Sequence, residues 1–253
     1  MQRINAASLP KLQWRTRSAT TTNTVMTNQP SESSPASART TVRRGATRAE
    51  YAQESILEIL RTGSVAHVGV NTSDGPLVLP MVYGLTDDTL YLHGALANSL
   101  LKSGADSDIC VTVTIVDGLV FAKTPFNHSM NYRSVVVRGK ARLVEDDDEV
   151  MRALRLMTDH IVPTWNTTRN PSPSEIRATR IIALPLDEKS AKVRAGEAIN
   201  DEGDKDIAVW SGYMPVTSVL GSPISNSDSG AGIPEEVIRL VGHDMHAKRL
   251  WSV

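Results

Sequence analysis

Asn127-His128-Ser129-Met130-Asn131-Tyr132-Arg133-Ser134-Val135-Val136-Val137-Arg138-Gly139-Lys140-Ala141 joins two kinds of sequence without a break. Its first half crowds His, Ser, Asn, Tyr and Arg into a short loop, a donor set suited to a polar, planar or anionic ligand. Its second half is a β-branched run that anchors in a sheet. Chemistry is therefore expected where this loop meets this strand. Alternation puts Tyr132, Ser134 and Val136 on one face and Arg133, Val135 and Val137 on the other.

Working outward, residues 109–116 alternate Ile109, Val111, Val113 and Ile115 with Cys110, Thr112 and Thr114, the period of a strand with one buried face. The strand begun at Tyr132 runs to residue 144. In residues 146–161, Val150, Leu154, Met157 and Ile161 form one apolar helical stripe. Residues 163–173 read as loop, 174–179 as a helical turn and 180–186 as strand. Towards the N-terminus, residues 51–61 carry Ile56, Leu57, Ile59 and Leu60 and stop at Gly63, a helix with a glycine end. Strands follow at 64–70, 77–83 and 89–93, separated by the turn sequences Asn71-Thr72-Ser73-Asp74-Gly75 and Thr86-Asp87-Asp88. They read as one antiparallel meander, with His67 in the core, followed by a short helix over 95–103. The expectation is a mainly β fold, a small barrel of six or more antiparallel strands decorated by helices.

Charge is uneven. Residues 1–49 hold Arg3, Lys11, Arg15, Arg17, Arg39, Arg43, Arg44 and Arg48 against the single acid Glu32. Of 27 basic and 28 acidic residues this leaves 19 and 27 in the remainder, a formal net charge of −8. An acidic body argues against nucleic acid as partner. No apolar run approaches the roughly 20 residues of a membrane span. Cys110, the one cysteine, excludes an intramolecular disulfide and a cysteine-based metal site, and reads as a small core residue. That fits a reducing compartment and a cytoplasmic location.

Residues 1–47 lack apolar periodicity and read as a disordered basic extension. Residues 3–24 also have the composition of a transit peptide, which makes a mitochondrial location the alternative. Residues 48–222 read as the one folded domain. Residues 223–253 read as an appendage: a Gly/Ser/Asn linker, then an amphipathic helix from Pro234 with Val237, Ile238, Leu240 and Val241. His243 and His246 read as its solvated face, with no third ligand for a metal.

Residues 92–99, Leu92-His93-Gly94-Ala95-Leu96-Ala97-Asn98-Ser99, end a strand in glycine and small residues before a helix, so backbone amides could face an anion, with Asn98, Ser99 and Lys102 as further donors. An ordinary strand-to-helix turn would look the same. Pro80 implies an edge or bulge. Lys192 and Arg194, two apart in an extended segment, point the same way. His93 and His128 could act in acid–base chemistry or ligate haem iron, or be structural. Trp165 and Trp210 could cover a planar ring or fill the core. There is no Gly-x-Gly-x-x-Gly fingerprint, so a nicotinamide would have no domain of its own.

Four blocks in register carry a resemblance: Ala66-His67-Val68-Gly69-Val70 with Leu79-Pro80-Met81-Val82-Tyr83-Gly84; Leu90-Tyr91-Leu92-His93-Gly94; Asp117-Gly118-Leu119-Val120 with His128-Ser129-Met130-Asn131-Tyr132-Arg133-Ser134-Val135; and residues 184–194. Together they resemble the pyridoxamine 5′-phosphate oxidase-like superfamily, in its flavin-nucleotide-binding, nitroimidazole-resistance-like branch. The resemblance implies a split β-barrel that dimerises around two flavin mononucleotide (FMN) sites. It places Pro80, Val82 and Tyr83 along the flavin ring, and strengthens the reading of His93, Gly94, Ala95, Asn98, Ser99 and Lys102 as an anion site. It brings Tyr132, Arg133, Ser134 and Val135 to the cofactor, with Ser134 and Tyr132 near the flavin and Arg133 near its phosphate or the dimer seam. Lys192 and Arg194 fall on the substrate side. The implied activity is transfer of electrons from NAD(P)H to a small organic acceptor or oxygen. The alternative is a flavin- or haem-binding protein without turnover. No catalytic residue is assigned.

Overall fold

The computed structural model describes residues 34–247. Two antiparallel sheets enclose one core. The larger has the strand order β1 (Ala49–Glu50), β10 (Glu188–Arg194), β7 (Ser129–Lys140), β6 (Asp108–Phe121), β2 (Ala66–Thr72) and β3 (Gly75–Met81), and β11 (Gly212–Pro215) pairs with the far half of β6. The smaller runs β4 (Tyr83–Leu85), β5 (Thr89–Ala95), β9 (Thr179–Pro185) and β8 (Arg142–Leu143). Ala66, Val68, Val111, Val113, Val135 and Val137 from the first sheet meet Leu90, Leu92, Ile182 and Leu184 from the second. This is the barrel expected from the sequence.

The helices close its ends and one flank. In α1 (Gln53–Thr62), Ile56, Leu57, Ile59 and Leu60 form the stripe that enters the core. It ends where the backbone turns extended at Gly63, a position that has no room for a side chain, since a Cβ would lie 2.3 Å from Val113 Cγ1. α2 is Ser99–Gly104 and α3 is Asp147–Ile161. α3 covers the outer side of the smaller sheet through Ala153 and Met157. Two further short helices, α4 (Pro173–Arg177) and α5 (Glu235–Ile238), lie outside the core. None of the described helices is long and apolar enough to cross a membrane.

Five expectations change. The meander does not stay in one sheet: the chain turns at Val82, and Tyr83 begins β4 in the smaller sheet. The strand from Tyr132 is interrupted at Ala141, where β7 passes to β8. His67 is exposed, because its neighbours Ala66 and Val68 take the inward positions. Residues 34–47 are attached to the sheet edge: Arg39 bridges Asp108, at 3.3 Å, and Glu188, and Lys192 Nζ donates to the Arg44 carbonyl at 2.9 Å. Those anchors are polar, so apolar periodicity could not reveal them. At the other end, the amphipathic helix is only α5, and His243 and His246 lie in the half-buried turn after it. The transit-peptide reading lies outside the described residues.

The start of α3 gives a test of electrostatics. Asp146 caps it by accepting from the Glu149 amide at 2.8 Å. Glu149 in turn accepts from both terminal nitrogens of Arg142, at 2.9 and 2.6 Å, and from the Tyr91 hydroxyl at 2.8 Å. The Arg142 guanidinium holds this carboxyl below its ordinary 4.5. A lowered folded-state pKa adds stability above the unfolded value, and this is lost as pH falls through the folded value. Glu149→Gln should therefore cost about 1 kcal/mol at neutral pH, a screened surface value. The gap to wild type should close in acid, and denaturant melts at the two pH values read it directly.

Candidate functional site

Residues paired across an antiparallel sheet share a face. The inner face of the larger sheet is the core, so its outer face is the surface left for chemistry. One row across it is Pro80, His67, Thr112, Val136 and Ser190. A parallel row holds Val78, Gly69, Cys110, Arg138 and Glu188. On the other side lie Thr114, Ser134 and Lys192, then Val116, Tyr132 and Arg194.

One corner of this face is cationic. Arg194 is 6% exposed, and its guanidinium donates to Asn131 Oδ1 and, at 3.1 Å, to the Glu197 carbonyl. Burial lowers its pKa, and the neighbouring Arg48 guanidinium lowers it further. Among the described residues no carboxylate pairs with Arg194, Arg48 or Lys192 within 4.0 Å. Positive charges brought together without an acid repel one another, and an anion relieves the repulsion. Thr114, in the adjoining position, brings a hydroxyl to the same corner, while the Ser134 hydroxyl donates to the Lys192 carbonyl at 3.3 Å.

The predicted residues divide. Pro80, Tyr132, Ser134, Lys192 and Arg194 share the outer face. Val82 is at the crossing between sheets. Tyr83 and Val135 are fully buried, and the Tyr83 hydroxyl donates to the carbonyls of Leu60, at 2.5 Å, and Gly63, at 3.0 Å. Their side chains are core, because the inward face of each strand takes the large apolar groups. Arg133 is on the inner side with Ile115 and Val193. Its fork is already filled, holding Asp117 at 2.9 and 2.7 Å and the His246 carbonyl at 2.6 Å. It ties the bend of β6 to the C-terminal segment and has no charge to spare for a phosphate.

His93, Gly94, Ala95, Asn98, Ser99 and Lys102 belong to the end of β5 and to α2, outside the larger sheet. The first-turn amides of α2 at Leu100 and Leu101 are taken, since Asn98 Oδ1 accepts from them at 3.0 and 3.3 Å. His93 is exposed on β5. His128 Nδ1 lies 3.0 Å from the Thr124 carbonyl and its ring meets Phe121 edge-on, which locks the turn into β7. Trp165 adjoins the end of α3, where Asp159 accepts from its amide, and Trp210 is an exposed neighbour of Phe121. The sequence reading missed His67 and Arg48. Alternation through Ala66, Val68 and Val70 was the available signal for His67, whereas nothing local marked Arg48.

A family model described as pyridoxamine 5′-phosphate oxidase matches residues 52–193. The chain belongs to the pyridoxamine 5′-phosphate oxidase family. Among solved structures of this fold, a flavocytochrome from Azotobacter vinelandii is 33% identical, with a TM-score of 0.78, over 82% of this chain and 99% of that one. An FAD- and haem-binding protein from Mycobacterium smegmatis is 27% identical, with a TM-score of 0.73, over 78% and 98%. No curated protein matches the chain. The family match spans 142 residues, whereas 82% of 253 is about 207, so about 65 residues outside the family match also have counterparts in the flavocytochrome. Strands β2, β3, β6 and β7 of the larger sheet lie within the family match, and Arg48 and Arg194 fall just outside its two ends.

Proposed function

We propose that this member of the pyridoxamine 5′-phosphate oxidase family binds a flavin nucleotide by its phosphate at the Arg48, Lys192 and Arg194 corner, and acts as an oxidoreductase. The observation that carries this reading is the cluster of cations without an acid. A dianionic phosphate fits it, with the Thr114 hydroxyl as a neutral donor. The flavin supplies the redox chemistry when bound; the chain binds and orients it and supplies fixed positive charge nearby. Electrons come from NAD(P)H bound transiently at the flavin face, consistent with the lack of a dinucleotide fingerprint. They pass to a small organic acceptor or to oxygen.

FMN is the first reading of the flavin. FAD is the second, favoured by the Mycobacterium smegmatis relative. Both relatives also support haem as a second group. We further propose that two copies form the working unit. Leu119, Met130, Trp210, Tyr213 and Met214 are all at least 40% exposed around the far half of β6, an apolar surface of the kind that pairing buries.

An absorbance spectrum of the purified protein, with mass analysis of what heat releases, tests the reading. Flavin bands with released FMN or FAD are expected, and NADH and NADPH should bleach them under anaerobic conditions. A colourless protein that ignores added flavin would overturn the proposal. Light scattering should give twice the chain mass of 27.5 kDa.

A further inference from the structure

The buried member of the cationic corner is held in an uncommon way. Arg194 is 6% exposed, and a guanidinium withdrawn from water is ordinarily paired with a carboxylate. Here both partners are neutral: the side-chain carbonyl of Asn131, and the Glu197 backbone carbonyl at 3.1 Å. Glu197 carries a carboxylate of its own, yet it meets Arg194 through its main-chain oxygen. Gly196 allows this, because its φ of 112° turns the chain back after β10, a conformation that suits glycine. Asn131 is 5% exposed, and its Nδ2 donates to the Gly196 carbonyl at 3.0 Å. That second bond orients the carboxamide: with Nδ2 spent on a carbonyl, Oδ1 is left for the guanidinium. Two residues further along the same strand the opposite arrangement occurs, where Arg133 is neutralised by Asp117.

We propose that Asn131 is a positioning residue for the flavin phosphate: it fixes the Arg194 guanidinium without cancelling its charge, so that the phosphate supplies the missing anion. The inference rests on the phosphate reading above, and names the residue that makes the corner selective for a phosphorylated flavin. The bonds to Asn131 and Glu197 use one hydrogen on each terminal nitrogen of Arg194. Its Nε and the remaining hydrogens make no other hydrogen bond among the described residues. A guanidinium held through part of its fork is preorganised and keeps the rest for phosphate oxygens. An aspartate at position 131 would be nearly the same size, but it would satisfy Arg194 from within. Repulsion from Arg48 acts in the same direction, since an outside anion relieves it only while Arg194 has no carboxylate of its own.

The test compares FMN and FAD with riboflavin, which has no phosphate, by fluorescence titration of the purified full chain freed of flavin. Wild type should prefer the nucleotides. Asn131→Asp should lower nucleotide affinity about tenfold or more, the worth of one charge-assisted hydrogen bond. It should also flatten the dependence of binding on salt, with riboflavin affinity unchanged. Asn131→Ala leaves the cation but lets it move, so nucleotide affinity should fall by a smaller factor and the salt dependence should persist. The ratio of nucleotide to riboflavin affinity is blind to a general loosening of the fold, which weakens both ligands alike. Equal loss of both ligands, or a wild-type ratio in either variant, would overturn the role of Asn131 while leaving the phosphate at this corner. Wild type that binds neither nucleotide more tightly than riboflavin would overturn the phosphate reading itself, and this inference with it.

Discussion

Arg48→Glu is expected to lower flavin affinity by about a hundredfold or more while leaving the apoprotein as stable as wild type. The first half follows from charge. A charge-assisted hydrogen bond to phosphate contributes roughly 1.5–3 kcal/mol, and reversal also places a carboxylate beside the incoming anion. The second half follows from the neighbour: in wild type Arg48 and the buried Arg194 repel one another. A carboxylate at position 48 would give Arg194 the partner it lacks. Arg48→Ala should fall between, with a loss of about tenfold and a weaker dependence of binding on salt. Calorimetric titration with FMN and with FAD, beside thermal melts of the flavin-free proteins, separates the two effects. A change in affinity of less than threefold in Arg48→Glu would remove the phosphate from this corner.

Gly84→Ala should destabilise the protein by about 3 kcal/mol, at the upper end of overpacking costs. Gly84 lies in the middle of β4 against α3, where a Cβ would come 2.6 Å from the Met157 amide nitrogen and 2.9 Å from the Leu156 carbonyl carbon. Those are backbone atoms of a helix, which cannot rotate aside as a side chain can. The helix would have to lift from the sheet, opening the cluster of Tyr91, Ala153, Met157, Ile181 and Ala183. For a chain of this size the melting temperature should fall by roughly 10 °C. Gly203→Ala, where a Cβ would meet nothing within 4 Å, is the matched control. Equal melting of the two variants would mean that the close approach of α3 does not exist.

The barrel was legible because its signals are local. Alternation in 109–116, the stripes in α1 and α3 and the short turns between strands each need only a few consecutive residues. Division of the second predicted strand between two sheets was not legible. Its residues are extended on both sides of Val82, and only partners elsewhere in the chain assign one half to β2 and the other to β5. The attachment of residues 34–47 was hidden for a related reason, since its anchors Asp108, Glu188 and Lys192 lie far along the chain.

For the site, alternation separated Tyr132 and Ser134 from Arg133 and Val135, and the structure keeps that separation. What a single strand could not say is which face is the core. The sequence by itself determined most strands and helices and their alternating faces, because these follow from neighbours within a few residues, and the family, through four blocks in register. Only the tertiary structure decided that His67 faces outward, that Arg133 is consumed by Asp117 and the His246 carbonyl, and that Arg48 lies in the field of Arg194. Residues 48 and 194 are separated by most of the folded chain. Their repulsion exists only once β1 has paired with β10, which sets Ala49 opposite Lys192 and brings the two guanidiniums into each other's field.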